Sequence, residues 1–295
     1  MTAAQADKLH RAYAIGLALV AITAIHEEEF TAAQRPMVPP PMPVDEAAIR
    51  RAYTEAALKG VSVFRRSVRK ALTADAAARA TAAAAQESAE RRIACHQEQA
   101  RLDRLWEALL RNDPSVVMDQ LGSAFEDNKA PAAPLGVDGS EATLTVLIPG
   151  EHTMPEQVPG HTAAGNVSIR KMTKRERDEL YTLLVAGYLL VTVKEAFAVA
   201  PSLTSVRIVA VSSAGRSAYG KRRGHAVAAA VISRESLIGV HWSTVDARTV
   251  LGDVASELLL NERGANKVLH AIDLSTEPEL DAIMSAIDFD ELGDA

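Results

Sequence analysis

Four cations, Arg216, Lys221, Arg222 and Arg223, fall within eight residues that also hold Tyr219 and Gly220, with Gly215 and Gly224 on either side. Arginine and lysine at this density pair with phosphate or carboxylate groups, and glycines let the backbone come close to a partner. The chemistry is recognition of an anion. A hairpin tip kept soluble by its charges, and so blocked from edge pairing, has the same composition. A second group, Arg170, Lys171, Lys174, Arg175 and Arg177, stands at the start of a long apolar stretch. Cations there oppose the dipole of a helix, and an anion bound at its N-terminus would offset them. Glu176, Asp178 and Glu179 supply part of that offset locally. Lys174 and Arg175 therefore join the four loop cations as the candidate anion-binding set. Arg65, Arg66, Arg69 and Lys70 form a third group, which reads as the solvated face of a helix.

Bond-making chemistry is harder to place. Glu151, His152, Glu156 and His161 share one Pro/Gly-rich stretch, but without a zinc-ligand spacing, and HExxH is absent. A metal-dependent nuclease needs acids on adjacent core strands, and the strands expected at Val206–Ser212 and His225–Ser233 carry none. Glu195, beside Lys194, and Glu141 are the remaining carboxylates near the core. No GxSxG, P-loop or GxGxxG occurs. Cys95 lies among Arg91, Arg92 and His96 in an alanine-rich helix, where a lone thiol is usually passive. No cofactor and no metal site are expected.

The chain has 295 residues, 48% of them apolar, which is ample for a core and excludes disorder throughout. A single cysteine excludes a disulfide framework and points to a reducing compartment. Only twelve aromatics are present, too few for a base-stacking platform on single strands. Residues 268–295 hold eight acids and no Lys or Arg, so the formal charge of −6 conceals a body of about +2. Such a tail serves solubility, or covers a basic patch until a competing polyanion arrives. The apolar run Ala12–Ile25 is too short to span a bilayer and leads into His26 and three glutamates instead of a cleavage site. The expected setting is cytoplasmic, without membrane contact.

The elements that must position these groups fall into two halves. An N-terminal helix is expected from Ala3 to about Thr31 (domain 1–35), followed by a connector (36–44) with five prolines in eight residues. Residues 45–127 read as a helical arm. Apolar residues recur every three or four positions from Ile49 to Leu72, Ala74–Ala85 is almost pure alanine, and periodicity returns at Ile93. The arm is one long helix, a coiled-coil-like element, or a hairpin turning in the alanines. Asp113-Pro114 opens a short helix to Glu126. Residues 128–141 read as a linker, because Pro131, Pro134, Gly136 and Gly139 crowd a loop.

Residues 142–272 then read as an α/β sandwich. Strands are expected at Ala142–Ile148, Val206–Ser212, His225–Ser233 and Lys267–Ile272, and Pro149–Gly165 is a long loop. Helices are expected from the Thr173/Glu176 capping box to Val199, and over Ser243–Leu260. An acidic helix, Pro278–Ile287, and its tail close the chain (273–295). The fold class is α+β, with an order β-α-β-β-α-β that is ferredoxin-like or restriction-endonuclease-like. The function expected is that of a non-catalytic interaction protein. It self-associates as a homo-oligomer or docks a protein partner through the arm, and it contacts nucleic acid or another polyanion through the basic loop. The alternatives are a metal-dependent hydrolase or nuclease using Glu195 or the His152/His161 loop, and a purely structural subunit of an assembly.

Overall fold

Breakers in the sequence decide where the first helices stop. The computed structural model describes residues 3–163, 165–264 and 267–292, so Asp294 of the acidic tail lies outside the described residues. Two compact units result, one of residues 34–107 and one of residues 1–33 with 108–295.

In residues 34–107, helix α2 (Glu46–Leu58) is capped by Asp45, whose side chain accepts from the Ala48 amide. It ends at Gly60, whose φ of +79° is the left-handed conformation that terminates helices. Helix α3 (Arg66–Leu110) follows. The helix expected through residues 45–112 is therefore broken, and the break is at Gly60 rather than in the alanines. The Arg69 guanidinium holds the turn by donating to the Val61 carbonyl at 3.0 Å. Alanine's high helix propensity keeps the alanine stretch helical. There Ala76, Ala80 and Ala84 form a buried row, and the last two border a cleft with Glu46, Ala47 and Arg50. The proline segment lies extended beside α3. Arg35 forms a two-pronged ion pair with Asp103 (2.7 and 2.8 Å), and Gln99 bonds both the Val38 amide and the Pro36 carbonyl.

In the other unit, helix α1 (Ala3–Thr23) is shorter than expected. The chain leaves it through a short helical turn, Ile25–Glu27, and continues extended, with His26 buried at the bend. Helix α4 (Pro114–Phe125) buries Val117, Leu121 and Phe125, with Asp113 as its cap. The expected linker contains a strand, β1 (Ala132–Asp138), paired antiparallel with β2 (Glu141–Ile148). Pro134 and Gly136 are tolerated because β1 is an edge strand and its register shifts between those two residues. The expected loop after β2 holds a separate hairpin, β3 (Gln157–His161) and β4 (Val167–Lys171), which packs with α1.

Helix α5 (Lys174–Val199) starts at the capping box and crosses back so that β5 (Ser205–Arg216) lies parallel to β2. It is the one described helix long and apolar enough to span a bilayer, and most of it is buried inside the protein. Strand β6 (Arg222–Ser233) returns antiparallel to β5. The helix expected over Ser243–Leu260 is instead α6 (Ala247–Val254) followed by strand β7 (Ala255–Arg263). Leu258, Leu259 and Leu260 pair across to Ala230, Ala229 and Ala228, and this tertiary pairing overrides leucine's helical propensity. Strand β8 (Val268–His270), α7 (Pro278–Ala286) and α8 (Phe289–Leu292) complete the fold.

The six-stranded mixed sheet thus runs in chain order, β1-β2-β5-β6-β7-β8. A ferredoxin-like split β-α-β would place another strand between β2 and β5, and here those two are direct neighbours. Side chains alternate between the two faces of the sheet. Ala142, Leu144, Val146, Val206, Ile208 and Ala210 are fully buried, and α5 packs against β2, β5 and β6. On the alternate positions, Val209 and Val211, with Ala226, meet Leu280, Met284, Ile287 and Leu292 of the C-terminal segment in a second core.

Candidate anion-binding face

The register of the sheet makes the β5–β6 ribbon project. Strand β2 pairs with β5 only as far as Ser212, and β7 pairs with β6 only from Ala228 onward. Residues 213–225 of the two long strands therefore have no flanking strand in the sheet, yet they stay paired with each other out to Arg216 and Arg222. The expected strands end at Ser212 and begin at His225. The structure lengthens both, so that most of the expected loop is ribbon.

A turn over Ser217–Gly220 closes the tip. Ser217 donates its amide to the Lys221 carbonyl (2.7 Å), and Gly220 donates to Ser217 (2.9 Å). Gly215 and Gly220 take φ near +80°, which a side chain would resist. The Arg216 guanidinium folds over the tip onto the Gly220 carbonyl at 2.7 Å. Tyr219 is 93% exposed. Arg216, Lys221 and Arg223 are exposed, and among the described residues none of them forms an ion pair with a carboxylate.

Arg222 differs. Neighbouring strand residues face opposite ways, and Arg222 is half-buried against α8. Its amide donates to the Asp290 carboxylate (3.0 Å), and its guanidinium reaches the Asp290 carbonyl (3.4 Å). Phe289 lies against Gly224 on the same ribbon. The four cations are thus divided. Three are presented to solvent, and one helps seat the acidic C-terminal segment.

The second group sits at the same end of the sheet, because α5 runs antiparallel to β2 and β5 in the crossover that joins them and so begins at the end where both strands finish. Here the anion is the protein's own. Thr173 and Glu176 complete the capping box, and Glu176 also forms an ion pair with Arg170. The Arg170 guanidinium, then the Thr173 amide and hydroxyl, hold the Glu176 carboxyl far below the usual carboxylate range. Arg175 pairs with Glu179 at 2.8 Å, and Arg177 lies 3.4 Å from Glu151. Lys174 is exposed. Arg175 is thus already matched, whereas Lys171 and Lys174 are exposed and, among the described residues, form no ion pair.

The candidates for bond-making chemistry are scattered. Glu151 and His152 lie in a short turn, and His161 lies on β3. Glu195 is 8% exposed and accepts from the Asn128 amide at 2.7 Å. Burial, and secondarily Glu28, raise its carboxyl above the ordinary value. Among the described residues no three of His, Cys, Asp or Glu come together as a metal site. Cys95 faces the Pro39 carbonyl at 3.7 Å. No local motif marks Lys194, Arg234 and Trp242, which come from α5 and from the segment after β6 and line one cavity. Nor does any motif pair Gly224 with Phe289. Comparison of the chain with protein-family models, with curated proteins and with solved structures returns no match, so the residues themselves carry the functional reading.

Proposed function

We propose that this chain is an interaction protein that contacts an anionic partner, nucleic acid or another polyanion, through Arg216, Lys221 and Arg223. The observation that carries this reading is the projecting ribbon, whose tip presents three exposed cations without carboxylate partners among the described residues. Lys174, exposed at the start of α5, adds a further cation at the same end of the sheet. Because the whole chain carries a net charge of −6, contact with a polyanion would be confined to this patch and would be strongly screened by salt. The test is fluorescence anisotropy with labelled duplex DNA and RNA at about 50 and 200 mM salt. Wild type is run beside a variant with Arg216, Lys221 and Arg223 all changed to alanine. Binding that weakens with salt and is lost in the variant is the expected result. No binding by wild type at low salt overturns the reading.

Self-association belongs to the same proposal. Phe64, 91% exposed, and Val63 crown the turn between α2 and α3, with Tyr53 and Val68 also exposed on those helices. Exposed apolar side chains concentrated around one turn favour a second protein surface. Sedimentation of wild type beside a Val63→Ser/Phe64→Ser variant tests it, and a wild type that is monomeric at all concentrations removes that part. The reading sets the protein in the cytoplasm, on its lone cysteine and on the burial of the one described helix that is both long and apolar enough to cross a bilayer.

A further inference from the structure

Three of the twelve aromatic residues, Phe30, Phe197 and Trp242, converge on a cavity of about 300 Å³ at the end of β6 opposite the ribbon tip. Leu237 and Ile238 complete its apolar wall, and Ile238 is 78% exposed at the rim. The extended segment that carries Phe30 is fastened to α5 by the Ala33 amide, which donates to the Ala198 carbonyl at 2.7 Å. Trp242 is fixed by Lys194, whose Nζ lies 4.1 Å from its ring centroid and donates to the His26 carbonyl at 2.8 Å.

Among the described residues, two cations line this cavity and no acid does. Arg234 stacks on Phe197, 4.6 Å from the ring centroid. Its Nε donates to the Leu203 carbonyl, and its Nη2 donates to the Phe197 and Ala200 carbonyls. A guanidinium has five donor hydrogens, so among the described residues both hydrogens on Nη1 have no acceptor. Lys194 spends one of its three donors on His26. Glu27, Glu28 and Glu29 act on it through space, but among the described residues none forms an ion pair with it. Partial burial lowers both cations from their ordinary values, and at Lys194 Glu29, Glu28 and Glu27 act against that lowering.

We propose that this cavity binds an apolar monocarboxylate, its carboxylate between Arg234 Nη1 and Lys194 Nζ and its hydrocarbon body against Phe30, Leu237, Ile238 and Trp242. Apolar walls with a few convergent polar groups are the usual make-up of a small-molecule site. With Nε and Nη2 already engaged, the guanidinium cannot offer a phosphate its full fork, and one oxygen to each cation suits a carboxylate. The carboxylate could belong to a free acid or to the C-terminus of an apolar peptide.

Trp106 and Trp242 are the two tryptophans, so Trp106→Phe leaves Trp242 as the reporter. In that background, phenylacetate is expected to give a saturable change in tryptophan fluorescence, and neutral phenylacetamide none. Binding should weaken at least tenfold in Lys194→Met and in Ile238→Glu. Ile238 is exposed enough that its variant keeps the fold, and thermal unfolding checks Lys194→Met. A peptide ending in leucine, with a free or an amidated C-terminus, distinguishes the two sources, and response to either free carboxylate supports the site. The proposal is overturned if neither carboxylate gives a saturable response up to about 10 mM. It is equally overturned if the amides bind as well as the acids, or if both variants bind like wild type.

Discussion

Gly224 lies directly against Phe289: a Cβ on Gly224 would overlap the Phe289 ring. The contact joins the root of the projecting ribbon to the C-terminal segment, one residue from the Asp290–Arg222 bond. Gly224→Ala should therefore unseat α8 and destabilise the protein by about 1–3 kcal/mol, as overpacking does. Phe289→Ala in the same chain should relieve part of that loss, because the two sites share one contact. Urea denaturation of the single and double variants measures it, and additive effects would show that the ring has room to move.

Arg216→Ala, Lys221→Ala and Arg223→Ala should each leave stability within about 0.5 kcal/mol of wild type, since these side chains are exposed and form no ion pair among the described residues. If the ribbon binds nucleic acid, each substitution should lower the slope of log affinity against log salt by about one unit. Stability and binding would then respond to different residues of the same hairpin.

Glu195 makes a pH prediction. Its carboxyl is raised by burial, so between the unfolded and folded values the native state holds more protons than the unfolded state. Its favourable contribution is fully present below the unfolded value and is lost as pH rises through the folded one. Relative to wild type, Glu195→Gln should gain stability between about pH 4 and pH 7. Denaturation at both pH values reads the difference, and a difference that does not change with pH would contradict it.

Thr173→Ala should cost about 1 kcal/mol, the usual loss for an N-cap, while Thr173→Ser should cost little. Glu176 adds an acid dependence of the opposite sign to that of Glu195. Its carboxyl is lowered, so its stabilisation is present above the ordinary carboxylate value and fades as pH falls. Helical circular dichroism during acid titration follows both effects.

Features that depend on near neighbours in the chain could be read from the residues alone. The Thr173/Glu176 box and the Asp113-Pro114 start are caps, and the alternation of Ala142–Ile148 is a strand pattern; each appears as expected. The errors lie where distant pairing decides. Leu258–Leu260 form a strand because β6 accepts them, and Pro134 and Gly136 lie in a strand because the sheet edge tolerates them. Gly60 ends a helix that the alanines alone would favour continuing. At the candidate face the cation cluster was visible in the sequence. The division between exposed Arg223 and half-buried Arg222 follows from strand alternation and from α8, which no spacing within the loop encodes. The cavity of Lys194, Arg234 and Trp242 left no trace in the sequence, because three separate segments build it.

The two faces of the sheet are also closed by parts of the chain made at different times. By the time β6 is complete at Ser233, α5 is available to cover its own side of β2, β5 and β6. Val209, Val211 and Ala226 on the second core must wait for residues 278–292. During translation, then, a nascent chain that has already formed its central strands displays a bare apolar sheet surface at the ribosome. That interval is when a chaperone would be needed and when aggregation competes with folding. Weakening the seat of α7 and α8 would therefore lower the yield of folded protein from synthesis more than it lowers the stability of protein already folded.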